Sequence, residues 1–248
     1  MKKLTVCFLI LLLTAVPAAA QFHAHVQLGL GSTAYDDFFG TGQVKSSDWL
    51  TVVSGTFVPA DDLLVSVTHS GARARTLTLA GTDHDLGSSD TATRGFTQGA
   101  LLVNAFQGSD VTVYGGLGYQ LTRAKVSHSA IQNGGATLQQ SLNGYGFMGQ
   151  VLVDIDVMED VLVQASVTGT PWYTYKYTRG NSSEDGLRGS AYTYQVGVSY
   201  EVTDGIGIRA GYMGGNVRIP PFEFHNGEDI PVTRGRYSSI TGGVTLTF

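Results

Sequence analysis

The sequence predicts an all-β chain folded as a single up-and-down antiparallel β-barrel of about ten strands, with eight as the alternative. Three observations point there: a composition that disfavours helices, apolar residues at every second position, and connections that alternate between short and long. Glycine supplies 33 of the 248 residues, the charged share is 14%, and Tyr, Thr and Val are prominent. Helical bundles draw on Leu, Glu, Lys and Ala instead, and disordered chains are charge-rich and poor in aromatics.

Residues 1–20 read as an export signal and stand outside the barrel, which occupies 21–248. Lys2 and Lys3 open it, Leu4 to Val16 form a continuous apolar run, and Pro17 precedes Ala18-Ala19-Ala20, so cleavage is expected before Gln21. The run is too short for a membrane-spanning helix, which needs about 20 residues. Cleavage would remove Cys7, the only cysteine, and with it any disulfide or thiolate chemistry. Loss of Lys2 and Lys3 would move the formal net charge from −5 to −7. An acidic exported chain has no basic patch to displace counterions from phosphates, so a nucleic-acid partner is not expected.

After Gln21 the period is two, the mark of strands with one apolar face. The first strand alternates Phe22, Ala24, Val26, Leu28 and Leu30 with His23, His25, Gln27 and Gly29. Segments 49–58, 63–72 and 95–106 are strand-like with less certain phase. Trp49, Phe57, Leu63, Val65 and Val67 are read as outward, which leaves His69 either at the rim or behind a bulge near Gly71. Later strands keep clean alternation: Val111 to Thr122, Tyr145 to Val157, Val163 to Thr170, Tyr192 to Val202 and Ile206 to Met213. The last strand runs Ile240, Gly242, Val244, Leu246, Phe248 against Thr241, Gly243, Thr245 and Thr247.

Short turns at 59–62, 107–110, 158–160 and 203–205 alternate with polar stretches at about 32–47, 80–93, 124–140, 178–190 and 214–235. A soluble sandwich has no reason to segregate loop length this way, whereas a membrane barrel has tight turns on one side and long loops on the other. The polar faces are Gly, Ser, Thr and Gln rather than the Lys, Glu and Arg of a water-washed sheet. Tyr119, Tyr145, Tyr173, Tyr192, Tyr194, Tyr212 and Tyr237 gather near the long loops as an interfacial girdle. Phe22, Phe57, Tyr200 and Phe248 would mark the other rim.

With its signal segment, paired amphipathic strands and terminal Phe248, the chain resembles the small outer-membrane β-barrel proteins of diderm bacteria. The pattern covers the whole chain after residue 20 without a diagnostic motif of one family. The resemblance implies a bacterial outer-membrane location and outer-membrane lipid as a partner. It also implies recognition by the assembly machinery through the C-terminal strand, with Phe248 as the assembly signal.

Several constellations could carry chemistry. Asp154, Asp156, Glu201 and Arg209 fall on polar faces near the short-turn end. They form a candidate lumen charge cluster, read first as a structural ion-pair plug and second as a gate or cation-selective constriction. Asp83-His84-Asp85 stands in a Gly/Ser/Thr-rich loop, where solvated charges are the simpler account than catalysis. His23 and His25 share a face without a third metal ligand. Gly29-Leu30-Gly31-Ser32-Thr33-Ala34 matches a dinucleotide pattern but precedes no helix, and no nucleophile elbow occurs. Phe222, Phe224 and His225, behind Pro220-Pro221 and ahead of Glu228 and Asp229, form a candidate external contact loop or a folded-back lid.

No catalytic residue, metal or cofactor is assigned. The expected function is a structural or surface-interaction role through external loops, which leaves room for an extracellular ligand. A small passive pore for ions or solutes is the alternative; the lumen would then hold a thin water column, where otherwise Tyr114, Gln150 and Trp172 would fill it. An omptin-like surface enzyme comes third.

Overall fold

The computed structural model describes residues 21–39, 42–60, 62–79, 81–85, 91–133, 136–224 and 227–248. The expected signal segment, 1–20, and His225 lie outside the described residues. The strands in chain order are β1 (Gln21–Tyr35), β2 (Val44–Ala60), β3 (Leu63–Leu79), β4 (Thr82–Asp85), β5 (Thr91–Gln107), β6 (Val111–Asn133) and β7 (Ala136–Met158). They continue with β8 (Val161–Arg179), β9 (Ser182–Thr203), β10 (Ile206–Ile219), β11 (Phe222–Glu223), β12 (Asp229–Ile230) and β13 (Thr233–Thr247).

Ten long strands form one closed antiparallel ring, in the order β2, β1, β13, β10, β9, β8, β7, β6, β5, β3, with β3 pairing back onto β2. The short β4 extends β3, and β11 and β12 form a separate two-residue hairpin. Every neighbour is next in sequence apart from these insertions, so the topology is up-and-down and the count is ten. Closure is made by β1 on β13, in register from His23 opposite Thr247 to Tyr35 opposite Gly235. The seam is tied at its lower end by the reciprocal pair Phe22 N–H to Phe248 O, 3.1 Å, and Phe248 N–H to Phe22 O, 2.9 Å.

The barrel is inverted relative to a soluble one. Leu28, Leu117, Phe147 and Ile240 project outward at 65%, 72%, 79% and 71% exposure, while Gln27, Gln98, Gln120, Thr168 and Thr241 point inward and are buried. Side chains of that kind cost about 1.5–3 kcal/mol each when held in water, so this surface calls for an apolar solvent around it. Trp49 and Val67 face outward as the alternation requires, with Leu50 and Val52 turned in.

Three expectations are corrected. His69 is outward, yet the phase does not break near Gly71; the bulge falls at Arg75, where Ser47 pairs with Thr76 and Asp48 with Ala74. His69 satisfies a ring nitrogen laterally instead, 2.8 Å from Thr97 Oγ1 on β5. Trp172 does not fill the lumen but projects outward at 84% exposure, and Tyr173 turns inward at 0%. The cause is the bulge between Thr170 and Tyr173 at Pro171, which lacks an N–H and shifts the phase by one residue. The stretches 124–140 and 178–190 are mostly strand, because β6–β7 and β8–β9 continue as hairpins beyond the apolar band, where alternation fades.

Gly243 shows how tightly the seam is drawn: a Cβ there would fall on the Val26 carbonyl oxygen, with Gln27 Cα 2.6 Å away. Gly243→Val is therefore expected to destabilise the folded barrel by about 1–3 kcal/mol. A lower urea midpoint for the compact band on an unheated gel is the check, and an unchanged midpoint would refute the seam argument.

Candidate functional site

The lumen is the candidate site, and it is filled in tiers. At the short-turn end, Arg209 rises from β10 and is 7% exposed. Its Nη1 donates to Ser199 Oγ at 2.9 Å and its Nη2 to Gln164 Oε1 at 3.3 Å. Gln164 Nε2 in turn donates to Asp154 Oδ1 at 3.0 Å. The amide thus relays between two charges that do not touch directly. A Cβ at position 197 would sit 2.5 Å from Arg209 Nη2, so Gly197 makes the room in which the guanidinium lies.

Of the four residues expected to cluster, the structure links Asp154 and Arg209. Asp156 is exposed two positions nearer the turn. Glu201 is also exposed, and its carboxylate accepts the Gly205 N–H at 2.9 Å, capping the turn that joins β9 to β10. Gln164 and Ser199 were not legible as members because neutral inward residues recur on every strand. Beside it, Leu64, Ala100, Leu102, Met148 and Leu152 of β3, β5 and β7 form an apolar cluster.

Above it a second carboxylate and guanidinium are linked through a neutral residue, with both Nη atoms of Arg94 buried and without a hydrogen-bond partner. Asp48, 3% exposed, accepts from Thr33 Oγ1 at 2.5 Å and from Ser46 Oγ at 2.6 Å. Arg94 Nε donates to Thr33 Oγ1 at 3.1 Å, and its guanidinium carbon lies 3.8 Å from the ring centroid of Tyr237. Tyr237, expected in the outer girdle, is thus an inner residue. Asp48 and Arg94 were missed because both lie on strands whose phase the sequence left open.

An aromatic plug closes the long-loop end. Phe38 and Phe39 enter from the β1–β2 connection at 0% exposure, joined by Tyr35, Tyr173, Tyr175 and Tyr177. Phe39 stacks on Tyr177 at 4.0 Å between centroids and 14° between planes. Phe39 holds φ at 55°, a left-handed conformation that a bulky side chain rarely adopts without compensating packing. Tyr173 and Tyr175 donate their hydroxyls to the carbonyls of Gln120 and Ser190, at 3.0 and 3.2 Å. Burial pushes the Tyr177 phenol well above its usual range, so it stays neutral at physiological pH.

The segment read as an external contact loop belongs to this plug. Phe224 is 4% exposed and packs on Tyr177 at 5.7 Å, and Phe222 contacts Tyr177 at 6.1 Å. The lid arrangement is the one adopted, because these rings bury more apolar area against Tyr177 than they would in water. Arg179 Nη1 fastens it, donating to both carboxylate oxygens of Glu228 at 2.7 and 2.8 Å. Asp83 of the Asp83-His84-Asp85 triplet lies in β4 and accepts from Thr78 Oγ1 at 2.6 Å.

The architecture is that of the outer-membrane β-barrels. The chain is similar to the outer-membrane protease OmpT from Escherichia coli, with a TM-score of 0.58 and 13% identity over 92% of this chain and 97% of that chain. It also matches the translocator domain of the autotransporter NalP from Neisseria meningitidis, at a TM-score of 0.45 and 14% identity over 98% and 96% of the two chains. Neisserial surface protein A matches at 0.41 and 15% over 92% and 97%. At such identities the likeness is one of fold. No family model matches the sequence, and no curated protein does.

The relay at the short-turn end makes a direct prediction. Gln164→Leu is expected to cost about 1–3 kcal/mol by stranding Asp154 and one Arg209 donor, seen as a lower urea midpoint. Glu201→Gln, at an exposed turn, should leave that midpoint in place; equal losses from the two would refute the relay.

Proposed function

We propose that this chain is an integral bacterial outer-membrane barrel, exported through a signal segment cleaved before Gln21, that works at its external end. Its role is structural or surface-interacting rather than that of an open pore. The aromatic plug carries this reading: Phe38, Phe39, Tyr177, Phe222 and Phe224 occupy the mouth through which a pore would conduct. The outward apolar band supports the membrane location, as does the single ring with no free strand edge.

Phe248 suits a role in assembly, since it stands outward at 69% exposure at the end of β13 and stacks on Phe22 at 6.3 Å. A non-enzymatic reading is supported by the local engagement of Asp83 with Thr78 in its own hairpin. The pore reading draws on the inward glycines and on the charges at the short-turn mouth, which would shape selectivity if the plug moved.

Planar-bilayer recording tests the proposal. The wild-type chain is expected to give no stepwise conductance, and Phe39→Ser combined with Phe224→Ser to open discrete steps, since each ring removed forfeits about 3–5 kcal/mol of packing. Steps from the wild-type chain would restore the pore. The exported protein should begin at Gln21, migrate faster unheated than boiled, and fractionate with the outer membrane. A soluble protein with an intact N-terminus would overturn the location.

A further inference from the structure

The basic residues of this barrel are sorted by height. Apart from Arg209, every Lys and Arg beyond residue 20 lies on the half of its strand farthest from the short turns. The short turns carry Asp62, Asp110, Glu159, Asp160 and Asp204. Along three adjacent strands the outward residues follow one sequence. From the lower rim, β9 presents Tyr200, Val198, Val196, Tyr194, Tyr192, Ser190 and Arg188. The neighbouring β10 presents Ile206, Ile208, Ala210, Tyr212, Gly214, Asn216 and Arg218. On β13 the order is Leu246, Val244, Gly242, Ile240, Ser238, Arg236 and Arg234. Apolar residues give way to tyrosines or small polar residues, then to arginine.

The arginines converge. Arg218 and Arg234 are direct cross-strand partners. Arg236 is two residues from Arg234, and Arg188 two residues from Ser190, the partner of Arg218 on β9, so both lie diagonal to Arg218. Like charges placed directly opposite destabilise a sheet unless something anionic lies between them. One carboxylate approaches, Asp36, 3.7 Å from Arg236 with both side chains half-exposed or more. Among the described residues no acidic side chain pairs with Arg188, Arg218 or Arg234. Arg236 and Arg234 stand about 12 and 14 residues above Phe248, or ~30 and ~35 Å at ~3.3 Å per residue and ~40° tilt, past an apolar band of ~25 Å.

We infer that Arg188, Arg218, Arg234 and Arg236 form a clamp for the phosphate-bearing headgroup of an anionic lipid in the outer leaflet. The inference rests on the membrane reading above. Arginine forks match phosphate oxygens in a bidentate manner. Directly below, Tyr192, hydrogen-bonded through its hydroxyl to Asn216 Nδ2 at 2.9 Å, and the exposed Tyr212 and Ile240 offer a face for the acyl chains. A lipid satisfies both layers at once, which neither an acidic protein nor a free phosphate does. Beyond residue 20 every basic side chain but that of Arg209 lies toward this end, so an anionic headgroup finds its partners here and not at the short turns.

Trp172 supplies the test, since it projects outward from β8 beside the Gly189–Ala191 segment of β9. The full chain carrying Trp49→Phe is folded into phosphatidylcholine vesicles containing roughly one-tenth phosphatidic acid, with one lipid or the other brominated near its carbonyl end. Brominated phosphatidic acid is expected to quench Trp172 with about tenfold or greater preference over brominated phosphatidylcholine. Arg218→Gln with Arg234→Gln should abolish the preference, whereas Arg73→Gln with Arg123→Gln on the far side should retain it. Equal quenching by the two lipids, or a preference surviving the first pair, overturns the clamp. Displacement by millimolar inorganic phosphate assigns the site to the free anion, and displacement by an acidic protein assigns it to that class; either overturns the lipid. Absence of quenching by any brominated lipid marks failure of membrane insertion itself, a separate outcome.

Discussion

A strand in hydrocarbon has no water to bond its N–H and C=O groups, and everything else in this structure follows from the answer to that constraint. The answer is the seam between β1 and β13, which pairs thirteen residues on each side and leaves the ring without an edge. The seam requires near-contact of backbones, hence Gly243 against Val26 and Gly29 against Ile240, where side chains would hold the strands apart. Once the ring is closed, the two faces of each strand acquire opposite solvents. Leu, Val and Ile go outward, and the residues that would normally sit on a wet surface become the interior.

That inversion sets the problem of the lumen. A ten-stranded ring leaves more space than one layer of small polar residues fills. The chain fills it with chemistry that varies by height: paired charges relayed through neutral groups below, aromatic rings above. In both couples a neutral residue stands between the charges, Gln164 between Asp154 and Arg209, and Thr33 between Asp48 and Arg94. Each relay residue thus makes one hydrogen bond to the carboxylate and one to the guanidinium, and Arg94 adds the ring of Tyr237 to its single hydrogen bond. The plug above is the nearest thing in the molecule to a soluble hydrophobic core. It is assembled from three separate segments, the β1–β2 connection, the inward rings of β8 and the β11–β12 lid.

The legibility of the sequence follows the same division. Wherever one face meets lipid and the other the lumen, period-two alternation is strong, and β1, β6, β7, β9, β10 and β13 could be phased from it. Above the apolar band that asymmetry vanishes, so the extended β6–β7 and β8–β9 hairpins read as polar loops. Bulges are invisible to a fixed period: Pro171 turns Tyr173 inward and Trp172 out, and the plug could not be seen without that shift. Asp154 and Arg209 were found because charges are rare on a Gly/Ser/Thr/Gln face, whereas Gln164 and Ser199 were hidden by belonging to that background. Phe222 and Phe224 stood out, but a local sequence cannot say whether an aromatic pair faces water or folds back; Tyr177, forty-odd residues earlier, decides it.

The placement of the basic residues by height ties these layers together. An inverted barrel cannot use charge to keep its outer wall soluble, since that wall is in lipid, so its outward charges are confined to what lies above or below the apolar band. The cations are not divided evenly: apart from the inward Arg209 they gather at the long-loop end, whereas carboxylates stand at both ends. Where the signs meet at the upper end they pair, as in Lys176 with Asp185, Arg179 with Glu228 and Arg236 with Asp36. Among the described residues no such pair covers the place where Arg218 faces Arg234. A surface that stays unsatisfied in isolation is one whose complement lies in its surroundings. For a ring of cations at the upper boundary of an apolar band, that complement is the anionic headgroup layer in which such a ring would sit.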